Sequence, residues 1–356
     1  MMIPISIDLP SSVTELHVGR QLLLSDLPFN LCKKHGSQVA IITDSYIKEL
    51  YGKALAEQLG AQIFEVPRGE KAKAREVKYR IEDELLASGY GRDTVIIGLG
   101  GGSVTDLSGF IASTYLRGVP LILIPTSLLA MVDASIGGKT GVDTVLGKNL
   151  IGTFYPPKAI ISDLDTLETL PEMEKQNGLS EIIKMGLIFD PSILSELSKT
   201  ESLEVLVRKA SQAKISVITQ DPLDRGLRRI LNFGHTIGHA IEAVSRFGIS
   251  HGEAVAIGCI AESYLSKKLG YLSQEDFLQI KEIYSMHLKP LVFPGNCSPQ
   301  ALLQAMLVDK KKSAQGVRCV LLDQIGRSLS FEGQYCKVVE EKDFKDTLSY
   351  LEAHYA

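Results

Sequence analysis

Short apolar runs separated by helix-length polar segments fill the first 160 residues and constrain the fold more than any other feature of the chain. Examples are VAIIT at 39–43, TVIIGLGGG at 94–102 and PLILIPTS at 120–127, each bounded by turn-forming residues. Runs that are apolar at nearly every position predict strands buried on both faces, so this half is expected to form βαβ units around a parallel sheet. Ligands are then expected at the carboxyl ends of the strands.

The second half of the sequence has a different pattern and is expected to be mostly α-helical. After Pro171 it contains long amphipathic segments, such as 192–221 and 252–270, and few strand-like runs. Turn and capping residues in DLDTLETLPEMEKQNG predict a boundary near 165–180. We therefore expect an α/β domain of residues 1–172 and a helical domain of residues 173–356, with the active site in the cleft between them.

Composition narrows the class of partner. The formal net charge is -4, so the chain has no basic excess with which to neutralise nucleic-acid phosphates or an anionic membrane surface. Five scattered cysteines without a CxxC pair favour free thiols in a reducing compartment. The amino terminus has no leader-like pattern, and no apolar run approaches the ~18 residues of a membrane span. We expect a cytoplasmic protein that binds a small molecule, without nucleic-acid or membrane partners.

A glycine loop follows the apolar run at 94–99. Gly100, Gly101, Gly102 and Ser103, with Asp106 soon after, lead into a helix-like segment. Backbone amides at such a loop can approach a pyrophosphate closely, and the dipole of the following helix favours the anion. A tight turn without a ligand is the alternative, because the loop lacks the GxGxxG pattern. The loop RGEKAK at 68–73 and the pair Thr43-Asp44 are further strand-end positions that could hold a nucleotide.

Residues 131–157 combine spaced cationic and polar side chains with a glycine-rich backbone. Asp133, Lys139, Lys148 and Asn149 lie among five glycines in this segment. Such a pattern is typical of anion binding and favours a phosphorylated substrate, although a solvated loop is the alternative.

Three of the seven histidines lie within 17 residues. His235 and His239 have i, i+4 spacing and therefore share a helix face, while Gly248 is expected to end that helix and let His251 approach. Clustered imidazoles suit zinc or a similar divalent ion. Spacing alone leaves open which histidines bind, because a site of two histidines and one acidic ligand would leave the third imidazole free.

Other charged residues of the second half offer further candidates. Glu181 and Lys184 are spaced i, i+3 and lie near the expected cleft, so Glu181 is an available acidic metal ligand or one half of an ordinary surface pair. Lys214, Arg228 and the run 310–312 add cationic groups, although charge runs are usually solvated.

Eight strings of the sequence, taken together, resemble the 3-dehydroquinate synthase family in order and spacing over residues 39–325. They are GGGSVTDLSGF, TYLRGVP, IPTSLLAMVDASIGGKTGV, GKNLIGTFYPP, DLDTLETLP, GLSEIIKMG, RRILNFGHTIGHAIEA and HGEAVAIG. The resemblance implies conversion of 3-deoxy-D-arabino-heptulosonate 7-phosphate to 3-dehydroquinate and phosphate, the second step of the shikimate pathway. In that family a hydroxyl is oxidised transiently by NAD, phosphate leaves by β-elimination, the ketone is reduced again, and an aldol step closes the ring.

The resemblance also implies roles for individual residues. The ligands of a zinc or cobalt ion would be Glu181, His235 and His251. The substrate phosphate would meet Lys139, Asn149, Asn232, His239 and one lysine of the 310–312 run, taken as Lys311. Lys214 and Arg228 would grip the substrate carboxylate, and Asp133, Lys184 and Glu181 would orient its hydroxyls. Arg117 would reach into the neighbouring subunit's site, which implies a homodimer.

For NAD, the resemblance implies a set that lies mostly in the first domain's strand-end loops. Its members are Asp44, Glu70, Lys73, Gly101, Gly102, Ser103, Asp106, Thr126, Ser127, Lys139, Lys148, Thr166, Thr169 and Leu170. The chain departs from the family's usual pattern at Thr105, where a loop glycine is common, at Ser127, where a threonine is common, and at Arg68, where Asp or Pro is common. The first could alter the loop, and Arg68 could alter cofactor affinity.

Three other functions compete with this interpretation. A metal-dependent polyol or glycerol-phosphate dehydrogenase would stop at hydride transfer. Such enzymes usually take two metal ligands from an Asp-x3-His pair, whereas here the residue four positions after Glu181 is Met185 and not a histidine. A related sugar-phosphate cyclase acting on a substrate without a carboxylate would have less need of Lys214 and Arg228. A dinucleotide-binding regulator without catalysis is disfavoured because every metal and phosphate position is filled.

Overall fold

Two compact units divide the chain, and we describe each by itself. A computed structural model describes residues 4–9, 12–199, 202–246, 248–310 and 316–355. The first unit spans Met1–Pro171 and the second Glu172–Ala356. Within the described residues, every helix is too short or too polar to cross a lipid bilayer.

A seven-stranded sheet forms the centre of the first unit. Its strands are β1 (Ile5–Leu9), β2 (Ser12–Gly19), β3 (Gln38–Asp44), β4 (Gln62–Val66), β5 (Thr94–Gly100), β6 (Leu121–Pro125) and β9 (Ala159–Asp163), in the spatial order β1-β2-β9-β6-β5-β3-β4. Only the β1–β2 pair is antiparallel. Strands β7 (Lys139–Thr144) and β8 (Gly147–Phe154) form a separate antiparallel hairpin.

Helices flank this sheet because its central strands are apolar along their whole length. All residues of β5, β6 and β9 are buried, which a strand achieves only when both faces of the sheet are covered. The helices of this unit are α1 (Asp26–His35), α2 (Ser45–Ile47), α3 (Lys53–Leu59), α4 (Arg75–Ala87) and α5 (Gly102–Thr114), with 3-10 turns at Gly69–Lys73, Tyr115–Arg117 and Leu164–Glu168.

The strand order reverses between β3 and β5. After β3 the chain moves outward to β4, then returns to place β5 on the other side of β3 and β6 beyond it. At such a switch point the loops after two adjacent strands diverge and leave a crevice at the carboxyl edge, which is the usual ligand site of an open α/β sheet. The ends of β3 and β5 lie side by side there, with Thr43 paired to Leu99.

The second unit is mostly helical and has its own apolar core. Its helices are α6 (Glu172–Ile188), α7 (Ser192–Leu197), α8 (Leu203–Gln220), α9 (His235–Val244), α10 (His251–Lys268), α11 (Gln274–His287), α12 (Pro299–Lys310) and α13 (Glu341–Tyr355). Four short strands form two small antiparallel pairs, namely β10 (Arg318–Cys319) with β13 (Lys337–Val338) and β11 (Leu322–Gln324) with β12 (Arg327–Ser328). The core contains Ile241, Ile257, Leu302 and Phe344.

The fold class predicted from the sequence is confirmed, and one detail is wrong. The three quoted apolar runs form β3, β5 and β6, and the second half is helical. The segment 192–221 contains the two helices α7 and α8. Gly248 does not end the histidine helix, because α9 stops at Val244 and the chain turns at Arg246, which has a φ of 54°.

Candidate active site

Three helices of the second unit carry the predicted metal ligands. Glu181 lies in the middle of α6, His235 is the first residue of α9, and His251 is the first residue of α10. Gly234 precedes α9 with a φ of 79°, a conformation that glycine adopts without strain. The Ser250 side chain caps α10 by accepting a hydrogen bond from the Glu253 amide. Each histidine is therefore held at a sharp, well-defined helix start.

Glycines let these three helices approach closely. A Cβ on Gly258 of α10 would lie 1.9 Å from the Gly234 carbonyl oxygen, and a Cβ on Gly252 would lie 2.3 Å from the Asn177 Cα of α6. The Asn177 side-chain oxygen accepts a hydrogen bond of 3.0 Å from the Gly252 amide. Backbone-to-backbone packing of this kind brings side chains on the facing helices within reach of a common point.

The carboxylate of Glu181 faces two imidazoles. Its Oε1 lies 3.6 Å from Nε2 of His235 and 3.5 Å from Nε2 of His251. Its Oε2 forms a buried ion pair with the ammonium of Lys184. The ligand atoms of Glu181, His235 and His251 all lie within 4.8 Å of one another.

Both imidazoles present the same ring nitrogen because the other is already engaged. Nδ1 of His235 lies 3.2 Å from the Phe233 carbonyl oxygen, and Nδ1 of His251 lies 3.3 Å from Oε2 of Glu242. With Nδ1 engaged in each ring, Nε2 is the nitrogen left to bind a metal, and it is the atom that faces Glu181. Oε1 of Glu181 is buried without a hydrogen-bond donor among the described residues. One buried carboxylate oxygen opposite the Nε2 atoms of two imidazoles fits a divalent cation.

The pKa shifts of the three proposed ligands also favour a divalent cation. Burial alone would raise the pKa of Glu181, but the Lys184 ammonium and the imidazoles of His251 and His235 outweigh it and hold the pKa well below its usual range. Burial and the Lys184 charge lower the pKa of His235 to about 3. Burial also opposes the charged form of His251, but Glu181 and Glu242 outweigh it and raise its pKa to about 10. An ionised carboxylate and a neutral imidazole are the forms that bind a metal, and the carboxylates around His251 attract positive charge.

His239 lies on the open side of this cluster. It is exposed, one turn after His235, and the two rings meet edge to face with centroids 5.1 Å apart. A cavity of about 410 Å³ in the second unit is lined by both histidines and by Asn232. Arg229 and Arg318 line it too. Asp224 adds one carboxylate to the lining, so the two guanidiniums leave an excess of positive charge beside the metal cluster, which suits a phosphate or carboxylate.

The other predicted residues of the second unit are mostly buried. The ammonium of Lys184 donates to the Leu231 carbonyl at 2.8 Å, next to Asn232. Arg228 is buried, and its guanidinium donates to the Pro222 carbonyl at 2.8 Å. Lys214 is buried on α8. Lys311 lies outside the described residues.

In the first unit, the predicted NAD residues follow the carboxyl ends of parallel strands. Asp44 is the last residue of β3, and its Oδ1 accepts hydrogen bonds from the Tyr46 and Ile47 amides. Gly101 directly precedes α5 and offers no capping side chain, so the first amides of that helix are available to an anion. The remaining strand-end positions are Glu70 and Lys73 after β4, Thr126 and Ser127 after β6, and Thr166, Thr169 and Leu170 after β9.

A buried ion pair joins two of these loops. The Lys73 ammonium lies 2.7 Å from Oδ2 of Asp106 and also hydrogen-bonds to Asn149 of β8. The Ser103 hydroxyl donates to Glu70 at 2.7 Å, and the Lys148 ammonium lies 3.7 Å from the same carboxylate. These contacts bring the glycine loop, the 3-10 turn Gly69–Lys73 and the β7–β8 hairpin together.

Three further predicted residues have distinct settings. Asp133 lies in a helical turn at Ala130–Ala134, and Lys139 is exposed at the start of β7. Arg117 is exposed, with a φ of 72° directly after Leu116 at 47°.

The positions that depart from the family pattern are accommodated locally. The Thr105 hydroxyl donates to the Gly102 carbonyl at 2.9 Å within the first turn of α5. The Arg68 guanidinium lies 4.5 Å from the centroid of the Tyr46 ring, which engages it in a cation–π contact.

Sequence reasoning missed Glu242 and Asp143. Glu242 lies seven residues after His235, so the spacing already placed it on the histidine face of α9, but only the packing of α10 brings His251 to it. Oδ1 of Asp143 accepts a hydrogen bond of 2.9 Å from the Asn149 amide across the hairpin, a contact that depends on strand register.

Comparison with known proteins identifies the family. The model of the 3-dehydroquinate synthase N-terminal domain matches residues 63–177, and that of its C-terminal domain matches residues 178–312. A 3-dehydroquinate synthase of Thermodesulfovibrio yellowstonii is 41% identical over 331 residues, which cover 88% of this chain and 90% of that protein. The chain belongs to the 3-dehydroquinate synthase family.

Two solved synthase structures share the fold of this 3-dehydroquinate synthase family member. A 2-deoxy-scyllo-inosose synthase complexed with carbaglucose-6-phosphate, NAD+ and Co2+ has a TM-score of 0.89 at 24% identity, covering 98% of this chain and 99% of that one. The 2-epi-5-epi-valiolone synthase ValA of Streptomyces hygroscopicus, with NAD+ and Zn2+ bound, has a TM-score of 0.84 at 26% identity, covering 97% and 98%.

Proposed function

We propose that this chain catalyses the 3-dehydroquinate synthase reaction, in which 3-deoxy-D-arabino-heptulosonate 7-phosphate gives 3-dehydroquinate and phosphate. One observation of the site carries the proposal: a single buried carboxylate oxygen of Glu181 faces the Nε2 atoms of His235 and His251 in a member of this family. A divalent ion held by Glu181, His235 and His251 would supply polarisation of the oxygens at the reacting carbons, and bound NAD would supply the reversible hydride transfer.

We propose that the first unit binds NAD at the switch point of its sheet. Gly101, Gly102, Ser103 and Asp106 would meet the pyrophosphate at the start of α5, and Asp44, Glu70 and Lys73 would meet the ribose and adenine side. Lys148 and the positions after β6 and β9 complete the set. Support comes from the shared location of these residues at the carboxyl edge and from the buried Lys73–Asp106 pair that ties their loops together.

The substrate would be held through its phosphate and its carboxylate. Asn232 and His239 line one cationic cavity, and with Lys139, Asn149 and Lys311 they would bind the phosphate dianion. Lys214 and Arg228 would bind the carboxylate, while Asp133 and Lys184 would orient hydroxyls. The departing phosphate would itself take the proton in the elimination, so no general-base carboxylate is required at that step.

The metal is a zinc or a cobalt ion in this proposal. Two histidines and one carboxylate with an open fourth position form the donor set of catalytic zinc, and cobalt accepts the same set. The two synthases of known structure hold one or the other.

A cytoplasmic homodimer completes the proposal. Arg117 would reach into the active site of the partner subunit. Its exposed side chain and the consecutive positive φ values of Leu116 and Arg117 support such a role, because strained backbone persists where it places a functional group.

Phosphate release by the purified protein tests the reaction. With a catalytic amount of NAD, the heptulosonate phosphate should give equal amounts of phosphate and dehydroquinate without net accumulation of NADH. Chelation should stop release, and added zinc or cobalt should restore it. Stoichiometric NADH without phosphate would instead identify a polyol or glycerol-phosphate dehydrogenase, and turnover of a hexose 6-phosphate alone would identify a cyclase for substrates without a carboxylate.

A further inference from the structure

Glu242 is a buried carboxylate at the back of the proposed metal site. The residue is 5% exposed, and its Oε2 lies 3.3 Å from Nδ1 of His251. A carboxylate removed from water is costly unless it is paired or hydrogen-bonded. The contact with His251 is therefore a specific one, and it lies on the ring edge opposite to the nitrogen that faces Glu181.

The two histidines of the site are held by different acceptors. Nδ1 of His235 meets a neutral carbonyl, that of Phe233, whereas Nδ1 of His251 meets the carboxylate of Glu242. A carboxylate acceptor fixes the tautomer and the ring plane as a carbonyl does, and it also makes the opposite nitrogen a stronger donor to a cation. His251 is thus the imidazole whose affinity for a metal depends most on its outer partner.

The spacing of residues along α9 explains why Glu242 lies next to His251. Glu242 follows His235 by seven residues on α9, so the two side chains lie on the same face two turns apart. His251 enters from the first turn of α10, between them. One face of α9 therefore supplies both a metal ligand and the support of the ligand that comes from the neighbouring helix.

We infer that Glu242 is a positioning residue that orients and strengthens His251 as a metal ligand, an inference that rests on the proposed metal site of Glu181, His235 and His251. An alternative assignment uses the same residues differently. Ligand atoms of His239, Glu242 and His251 also lie within 4.8 Å of one another, so Glu242 could be a ligand itself. The buried position of Glu181 and the exposure of His239 favour the first arrangement.

Metal affinity separates these arrangements without reference to activity. We would load the full-length protein with Co²⁺, record its visible absorption, and measure the dissociation constants of Co²⁺ and Zn²⁺ by competition with a chromogenic chelator. Glu242→Ala should weaken binding about 10- to 100-fold and shift the cobalt bands, because Nδ1 loses its acceptor. Glu242→Gln should recover part of the affinity, since an amide oxygen still accepts the hydrogen bond but lacks the charge.

Controls make each outcome decisive. Glu253→Gln removes a charge from α10 two residues after His251 without touching the Nδ1 contact, so it should bind metal as the wild type does. Equal affinity of the Glu242 variants and Glu253→Gln would overturn the inference. Metal loss in His239→Ala as large as in Glu242→Ala would overturn it in favour of the alternative site. Retention of metal by His235→Ala would instead overturn the proposed metal site itself, and with it this inference.

Discussion

At the residue scale, two histidines one helical turn apart have different environments. His235 is largely buried, its Nδ1 is engaged, and its Nε2 faces Glu181. His239 is exposed and lines the cavity together with Asn232. One helix face can therefore carry both a metal ligand and a substrate-binding group, because His235 is buried and His239 is exposed.

This difference predicts separate defects for two alanine variants. His235→Ala should lose the metal, with an affinity drop beyond the ~10- to 100-fold cost of losing an outer hydrogen-bond partner, since a ligand itself is removed. His239→Ala should keep the metal and lose turnover by about 10²-fold or more, as removal of a group that binds or protonates substrate does. Atomic absorption on the dialysed proteins and phosphate release measure the two effects.

A histidine of the second unit outside the metal cluster provides the control. His287 is the last residue of α11 and is not part of the cluster, so His287→Ala should match the wild type in both measurements. Metal loss by His239→Ala with full retention by His235→Ala would mean that the two roles are exchanged.

Spacing predicted part of this site, and tertiary packing decided the rest. The i, i+4 interval placed His235 and His239 on one face, but the turn between α9 and α10 that brings His251 to Glu181 has no local signature. Gly248 was the obvious turn residue, yet Arg246 takes the left-handed conformation. Glu242 could not be recognised as a partner of His251 before that turn was known.

At the element scale, the start of α9 depends on a side chain from α10. Gly234 offers no capping side chain, and its amide donates to Oε2 of Glu262 at 2.9 Å. Glu262 is fully buried. A side-chain carboxyl oxygen at a helix amino terminus satisfies an orphan amide, so Glu262 takes the place of the missing cap and fixes the helix that begins with His235.

Burial of Glu262 predicts a characteristic dependence of stability on pH. Burial raises its pKa from 4.5 to about 8, although backbone amides oppose the shift. The folded state then holds a proton that the unfolded state releases, so this contribution is complete below the unfolded pKa and is lost as pH rises toward about 8. Relative to Glu262→Gln, the wild type should lose stability with a slope of up to about 1.4 kcal/mol per pH unit between about pH 5 and 8.

Urea unfolding at several pH values measures this slope. The chain has no tryptophan, so circular dichroism is the suitable probe. Glu352→Gln, which changes an exposed glutamate of α13, should keep the wild-type profile. If the free energy of unfolding varied with pH in the same way for the wild type and Glu262→Gln, Glu262 would have the same pKa in the folded and unfolded chains.

Strands were predictable where the sequence has an uninterrupted run of apolar residues. Strands β3, β5 and β6 followed from runs that only a doubly covered sheet can bury. The break between α7 and α8 was not predictable, because residues 192–221 keep an amphipathic pattern across it and periodicity does not report where a helix stops without a glycine or proline. The hairpin β7–β8 was recognised by its polar chemistry and not as strands, since β8 is largely exposed and carries no continuous apolar run.

At the scale of the whole molecule, the predicted groups are divided between two units with separate cores. The NAD positions follow strands of the first unit, and the metal cluster belongs to the second. Arg117 belongs to neither group, because the resemblance to the family assigns it to the partner's site.

Mixing two inactive variants tests that assignment. In a dimer of Arg117→Ala with His239→Ala, the site of the Arg117→Ala subunit keeps its own His239 and receives an intact arginine from its partner. Half of randomly reassociated dimers are of this kind, and one of their two sites is complete, so about a quarter of the wild-type turnover should return. Phosphate release after denaturation and joint refolding measures it.

The matched control for this experiment uses two residues of one site. A mixture of His235→Ala with His239→Ala leaves a defect in every site, because each chain supplies both histidines to its own cluster, and no activity should return. Mixed dimers detected by native mass spectrometry but inactive in the Arg117→Ala mixture would mean that Arg117 acts within its own chain. Absence of any dimer would remove the partner subunit from the mechanism, and the strained backbone at Leu116 and Arg117 would then require a role within one subunit.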